Sequence, residues 1–263
     1  MASYTQLAVR YDMQDRIAVV TLHRPQVRNA LNTQLIQELT DVFTALSIDD
    51  RLHGVVLTGD GPTFCAGADI QMMRESITLD EQQNIDDALR LADMLHTLNV
   101  FPCPVVGRIN GDALGGGVGL VAVCDIAIAA ESVRFAFSEV KLGIAPAVIS
   151  PFVLRKIGET NARALFVTGE RFSAKRAHGF GLVHAVVPPE HLDEAVQKAL
   201  DELVKSGPLA VRASKALALN VGTMNHEHAR HYTAEMIAHL RVSEEGQEGL
   251  SAYLEKRQPR WLK

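Results

Sequence analysis

Apolar and β-branched residues run without a break through Ile17-Ala18-Val19-Val20-Thr21-Leu22, and His23-Arg24-Pro25 stops the run, since proline cannot continue a ladder. This predicts a strand. Beyond it Leu35, Ile36, Leu39, Val42, Phe43 and Leu46 recur at spacings of one, three and four, which places them on one helical face; Asn32 or Thr33 is available as the cap. A second strand, Gly54-Val55-Val56-Leu57-Thr58, leads into a glycine-rich loop from Gly59 to Asp69, and a polar helix is expected over 80–98. The pattern then repeats as a strand from Val105 to Ile109, a glycine loop from Gly111 to Gly117, a helix, and a strand from Asp125 to Ala129. Strands alternating with helices imply parallel βα units. After about Pro188 the periodicity is helical throughout: Leu192, Ala195, Ala199 and Leu203 mark one helix, Leu209 to Leu219 another, and 225–240 and 243–257 two more. The chain therefore reads as an α/β core over residues 1–190 and a helical region over 191–263, of the kind that serves as a lid or an oligomer contact.

The length of 263 residues, 47% hydrophobic, suits one domain of about 200–250 residues with an appended segment. Basic and acidic side chains give 26 − 31 = −5, without the concentrated positive charge that a nucleic-acid partner requires. Three cysteines, Cys65, Cys103 and Cys124, form neither a disulfide framework nor a metal-ligand spacing, which points to a reducing, cytoplasmic setting. The opening Met-Ala-Ser-Tyr-Thr-Gln lacks the regions of a signal peptide, and the longest apolar stretch, Val118 to Ala130, is interrupted by Asp125, so no membrane association is expected.

Three segments are candidates for chemistry. In Ala66-Gly67-Ala68-Asp69 small residues allow close approach to the backbone, and Asp69 can cap a helix starting at Ile70. Such a turn either presents amides near Ala68 to a pocket or is simply a tight, capped turn. Gly115-Gly116-Gly117-Val118-Gly119 opens an apolar helix, although each helical glycine costs about 1 kcal/mol relative to alanine. Either another backbone packs very closely there, or a ligand meets the free amides of the helix N-terminus. Two opposed backbone amides are what an oxyanion hole requires. The third candidate is Glu139, expected on a strand through Arg134-Phe135-Ala136-Phe137-Ser138-Glu139-Val140. Alternation would put it on one face with Phe135 and Phe137, poorly solvated and suited to acid/base work; an edge-strand glutamate paired with Lys141 is the plainer alternative. Other motifs fall short. Gly117-Val118-Gly119-Leu120-Val121-Ala122 fits G-x-G-x-x-A but does not directly follow a strand. In His226-Glu227-His228-Ala229-Arg230-His231, Arg230 stands where the second histidine of H-E-x-x-H belongs, so no metal is expected and a solvated helix face is the better reading.

Taken in order, His23-Arg24-Pro25 with Asn29-Ala30-Leu31-Asn32, Phe64-Cys65-Ala66-Gly67-Ala68-Asp69-Ile70, Asn110-Gly111 with Gly115-Gly116-Gly117, Cys124-Asp125-Ile126-Ala127 and Tyr253-Leu254-Glu255-Lys256-Arg257 resemble the enoyl-CoA hydratase/isomerase (crotonase) family. The resemblance spans essentially the whole chain. It implies an α/β spiral of ββα units with a C-terminal helical trimerisation region, assembled as a homotrimer or a dimer of trimers. It also implies an acyl-CoA thioester substrate, with coenzyme A as part of the substrate and no separate cofactor. By position, the amides of Ala68 and Gly116 would form the oxyanion hole and Glu139 would be the acid/base. Val27, Arg28 and Ala30, with Ala66, Ala68, Asp69 and Ile70, would hold adenine and pantetheine, and Lys256 would reach the nucleotide phosphates, from this subunit or a neighbour.

One departure matters. Family hydratases usually carry a glutamate at the position of Gly119 as well as one at Glu139, and this chain keeps only the second. The stretch Gly143 to Pro151 is similar to a bacterial branch of methylglutaconyl-CoA and carboxygeranoyl-CoA hydratases. Three functions follow as expectations: a hydratase of an α,β-unsaturated acyl-CoA such as methylglutaconyl-CoA, a Δ3,Δ2-enoyl-CoA isomerase working with one glutamate, and a weakly catalytic acyl-CoA-binding member of the family.

Overall fold

The computed structural model describes residues 4–12 and 16–262. The chain opens with Leu7–Asp12 (β1) and Ile17–Leu22 (β2), paired antiparallel, and the helix Thr33–Ser47 (α1). Three turns of one motif follow, each a longer strand, a three-residue strand and a helix. The first is Gly54–Gly59 (β3), Thr63–Cys65 (β4) and Ile70–Ser76 (α2), extended by Glu81–Asn99 (α3). The second is Val105–Ile109 (β5), Asp112–Leu114 (β6) and Gly116–Ala122 (α4). The third is Ile126–Ala130 (β7), Arg134–Ala136 (β8) and Ser150–Thr168 (α5). Arg171–Ser173 (β9), Ala174–Gly179 (α6) and Ala185–Val187 (β10) come next, and Leu192–Val204 (α7), Pro208–Asn220 (α8), His226–Val242 (α9) and Glu244–Leu254 (α10) complete the chain.

The longer strands share a six-stranded sheet in the order β1-β2-β3-β5-β7-β10, and the short ones a four-stranded sheet in the order β4-β6-β8-β9. Apart from β1 on β2 and β9 on β8, neighbouring strands are parallel. Each repeat thus steps from one sheet to the other and back through a helix, which is the spiral of ββα units. The central strand β3 is buried along its whole length, and that explains its unbroken apolar sequence. The helix α1 buries Leu35, Ile36, Leu39, Val42, Phe43 and Leu46, and Asn32 caps it, its side chain accepting from the Leu35 amide at 2.8 Å.

The strand expected through Val140 ends at Ala136. Residues Ser138–Leu142 instead form a short 3-10 helix, closed by Gly143 at φ 76°. Phe137 explains the break: its ring packs edge-on against Phe166, centroids 4.8 Å apart, so the chain turns inward and stops pairing. The strands β4 and β6 lie inside the predicted glycine loops, too short to show a period. In the helical region, α7 lays Leu192, Val196 and Leu200 on the core. Lys215 of α8 is buried and donates to the Cys103 carbonyl at 3.1 Å and to Asp125 at 2.7 Å. Ile237, Val242, Leu250, Tyr253 and Leu254 of α9 and α10 are exposed. Among the described residues no helix is long and apolar enough to cross a membrane.

Candidate active site

The strands β4, β6 and β8 lie side by side, with Cys65 opposite Ala113, Ala113 opposite Phe135, and Leu114 opposite Ala136. Equivalent corners of successive repeats are therefore neighbours. Ala68 lies three residues past Cys65, Gly116 three past Ala113, the partner of Cys65, and Glu139 four past Phe135, the partner of Ala113 on β8. All three line one cavity of about 220 Å³.

The first corner is held open by Leu31. Its amide donates to the Gly67 carbonyl at 2.7 Å and its carbonyl accepts from the Asp69 amide at 2.8 Å. In such a bridge the amide between the two partners faces the other way, and the Ala68 N–H has no acceptor among the described residues. At the second corner Gly115 donates to the Ala136 carbonyl at 2.9 Å, and Gly116 begins α4 with its amide unspent, as helix geometry dictates. Gly115 adopts φ 48° and ψ −119°, a conformation reserved for glycine. Of the two purposes expected of the glycine run, close backbone packing is met. A methyl on Gly117 would lie 2.3 Å from the Cys65 carbonyl oxygen, so α4 leans directly on β4, while Gly115 and Gly116 face the cavity.

Two residues that periodicity did not single out brace these corners. Asn29, fully buried at φ 54°, donates to the carbonyls of Asp60 and Thr63 at 2.8 and 2.7 Å and accepts from the Arg24 amide at 2.9 Å. Arg24 pairs with Asp69 at 2.9 Å and donates to the Ala30 carbonyl. The other carboxylate oxygen of Asp69 caps α2 through the Gln71 amide at 2.8 Å. The visible signal for this brace was the pair of segments His23-Arg24-Pro25 and Asn29-Ala30-Leu31-Asn32, whose polar members carry no helix or strand period.

Glu139 is half-buried, with Oε2 sealed from solvent and without a hydrogen-bond partner. Burial pushes its carboxyl above the ordinary glutamate value, and its own backbone N–H only partly opposes this. The shielding differs from the expected shared face with two phenylalanines: the carboxylate lies against Gly115, where an added methyl would stand 3.1 Å from Oε1. The position of the absent second glutamate is filled. A methyl on Gly119 would lie 2.5 Å from Cγ2 of Ile149 and 3.4 Å from Leu95, and Ile149 itself lines the cavity. Among the described residues Glu139 is the only ionisable one in the lining.

Ala66 joins Ala68, Gly116 and Glu139 in the cavity wall. Val27 and Arg28 are exposed on the adjoining turn, Ala30 is buried beside Leu31, and Ile70 is 68% exposed at the start of α2. Lys256, exposed at φ 54°, follows α10. None of these five, nor Asp69, lines the cavity. The histidines of α9 are solvent-exposed, and among the described residues no cluster of His, Cys, Asp or Glu could hold a metal.

The sequence profile of the enoyl-CoA hydratase/isomerase family matches residues 12–263. A solved enoyl-CoA hydratase from Shewanella pealeana superposes with a TM-score of 0.93 at 37% identity, over 98% of this chain and 96% of that one. The crotonyl-CoA hydratase of Syntrophomonas wolfei is 32% identical over 95% of this chain and 96% of its own. The 2,3-dehydroadipyl-CoA hydratase of Escherichia coli is 31% identical over 94% and 95%, respectively. With the spiral fold, the paired corner amides and the buried glutamate, these matches show that the chain belongs to the enoyl-CoA hydratase/isomerase family.

Proposed function

We propose that this enzyme adds water across the double bond of an α,β-unsaturated acyl-CoA. The observation that carries the reading is the convergence, in one cavity, of two unspent amides, Ala68 and Gly116, with a single shielded carboxyl, Glu139. A thioester carbonyl seated between the amides gains their hydrogen bonds most strongly when it becomes an enolate oxygen, which lowers the barrier to attack at Cβ. Glu139 takes a proton from water as the C–O bond forms at Cβ. The π electrons move onto the thioester oxygen, and as the enolate collapses the same carboxyl returns a proton to Cα. A raised carboxyl affinity for protons suits both halves of this exchange. Val27, Arg28, Ala30 and the Ala66–Ile70 turn flank the cavity on the side we assign to coenzyme A, and we assign Lys256 to the nucleotide phosphates. The exposed apolar residues of α9 and α10 suit assembly into trimers or a dimer of trimers.

Hydration is followed by loss of the enone absorbance of crotonyl-CoA. Glu139→Gln should lower kcat about 10²–10⁴-fold, the usual worth of a positioned acid/base; undiminished turnover would overturn the assignment. Ile149 on Gly119 favours one rival reading, Δ3,Δ2-isomerisation, because a single base with an apolar wall opposite can carry a proton between two carbons without a bound water. Supplying 3-enoyl-CoA and 2-enoyl-CoA in parallel separates the two, since an isomerase leaves the 2-enoyl thioester unhydrated.

A further inference from the structure

We infer that the cavity selects an uncharged hydrocarbon acyl chain and rejects one that ends in a carboxylate, with Ile149 as a specificity-determining residue. This rests on the acyl-CoA reading above and sharpens it toward one class of substrate.

The wall beyond the thioester end is made of Met72, Leu91, Leu142, Ile144, Val148 and Ile149, and Ser138 is the only hydroxyl in the lining. Among the described residues no lysine, arginine or histidine lines it. Three cations flank the lining segments in sequence, and none is among the lining residues. The stem of Lys141 runs beside Gly169, where an added methyl would lie 3.2 Å from its Cε; Arg90 is paired with Asp87 at 2.8 Å; and Arg74 sits exposed on the last turn of α2. A second carboxylate on the acyl chain would leave water for a site with no cation and no set of donors to replace its hydration, a transfer strongly disfavoured for an ionised group. It would also share the cavity with Glu139, an anion in its basic form, and like charges at short range repel. Gly119 closes the remaining route. Because Ile149 occupies the space over it, that position offers neither a polar side chain nor room for water to solvate a chain end. A hydrocarbon chain, by contrast, gains from every apolar surface it covers there.

The test uses pairs that differ only by the terminal carboxylate: 3-methylcrotonyl-CoA against 3-methylglutaconyl-CoA, and 2-hexenoyl-CoA against 2,3-dehydroadipyl-CoA. The uncharged member of each pair should have the higher kcat/KM, by roughly tenfold or more. Calorimetric binding of hexanoyl-CoA and adipoyl-CoA reads the same preference without any turnover. Ile149→Ala, which opens the space over Gly119 to water, should narrow the binding gap by about twofold or more. Equal or tighter binding of adipoyl-CoA overturns the inference while leaving hydration intact, and an unchanged gap in Ile149→Ala overturns the role of Ile149. Loss of hydration on all four enoyl thioesters, with the hexanoyl preference retained, overturns the hydratase reading alone. Binding of neither saturated thioester overturns both.

Discussion

The contact between Ile149 and Gly119 can be tested by a double-mutant cycle. In Gly119→Ala the new methyl would stand 2.5 Å from Cγ2 of Ile149 and 3.2 Å from its Cβ, whereas carbon atoms settle at about 3.5–4.0 Å. Ile149 must therefore withdraw by roughly 1 Å, and the cavity it lines offers open space beside it. Overpacking of this kind costs about 1–3 kcal/mol, while alanine for glycine inside a helix returns about 1 kcal/mol, for a net loss of about 0–2 kcal/mol. Ile149→Ala alone should cost about 2 kcal/mol, the low end for a buried large-to-small change, since one side of the residue already faces open space. In the double variant the clash is gone and the helix gain remains, so the loss should fall short of the sum of the single losses by about 1–3 kcal/mol. Urea unfolding at one fixed protein concentration measures the four proteins, with a constant m value required for the comparison. Gly119→Ala should also raise KM for the acyl-CoA, because Ile149 is driven into the acyl space. Additivity within about 0.5 kcal/mol, or an unchanged KM, would refute the packing that fills the absent glutamate's place.

Three further outcomes follow from the buried polar groups of the fold. Glu139 has a carboxyl raised in the fold, so the protonated form's advantage is fully present below the ordinary 4.5 and is lost as pH rises through the folded value. Glu139→Gln should therefore be more stable than the parent at pH 7 and no more stable near pH 4, by thermal unfolding at both. His53 is buried with neither ring nitrogen hydrogen-bonded, and burial lowers its proton affinity. The unfolded chain takes up that proton first, so stability should decline as pH falls below about 6.5, and His53→Leu should flatten the slope. Asn29→Asp replaces a donor to two carbonyls by an acceptor. It should cost about 2–6 kcal/mol and lower kcat as the corner carrying Ala68 loosens, both read on purified protein.

The long strands β2, β3, β5 and β7 and the helix α1 were legible because each buries a continuous or periodic apolar set, which the sequence displays directly. The helix α7 was legible for the same reason, whereas α8 and α10 bury one residue each, Lys215 and Ala252, and α9 none, so their helical spacing does not come from burial in this core. The strands β4 and β6 were not legible, because three residues hold no period and their pairing comes from neighbours about 20 to 50 residues away. The end of β8 shows the limit most clearly. Phe135-Ala136-Phe137 alternates as a strand should, but Phe166, 29 residues on, draws Phe137 out of the ladder. At the site, Ala68, Gly116 and Glu139 stood out by residue type and turn chemistry. Arg24 and Asn29 did not, because a buried polar brace is defined by partners in three separate loops.

The third corner had to break from the pattern of the first two for the cavity to acquire a base. The turns at Ala68 and Gly116 both offer a backbone amide, and a third turn built alike would offer another donor and nothing to move a proton. The 3-10 helix at Ser138–Leu142 presents a side chain at the corresponding place. That side chain needs space on the neighbouring corner, and Gly115 supplies it: its φ of 48° makes the turn that frees the Gly116 amide, and its missing Cβ leaves room for Oε1 of Glu139. One glycine thus serves donor and base together. Gly115→Ala would impose backbone strain and crowd the carboxylate at 3.1 Å in the same step, so its effect on kcat should exceed its effect on KM. A larger effect on KM would mean that the corner serves substrate binding and that Glu139 is positioned by other contacts.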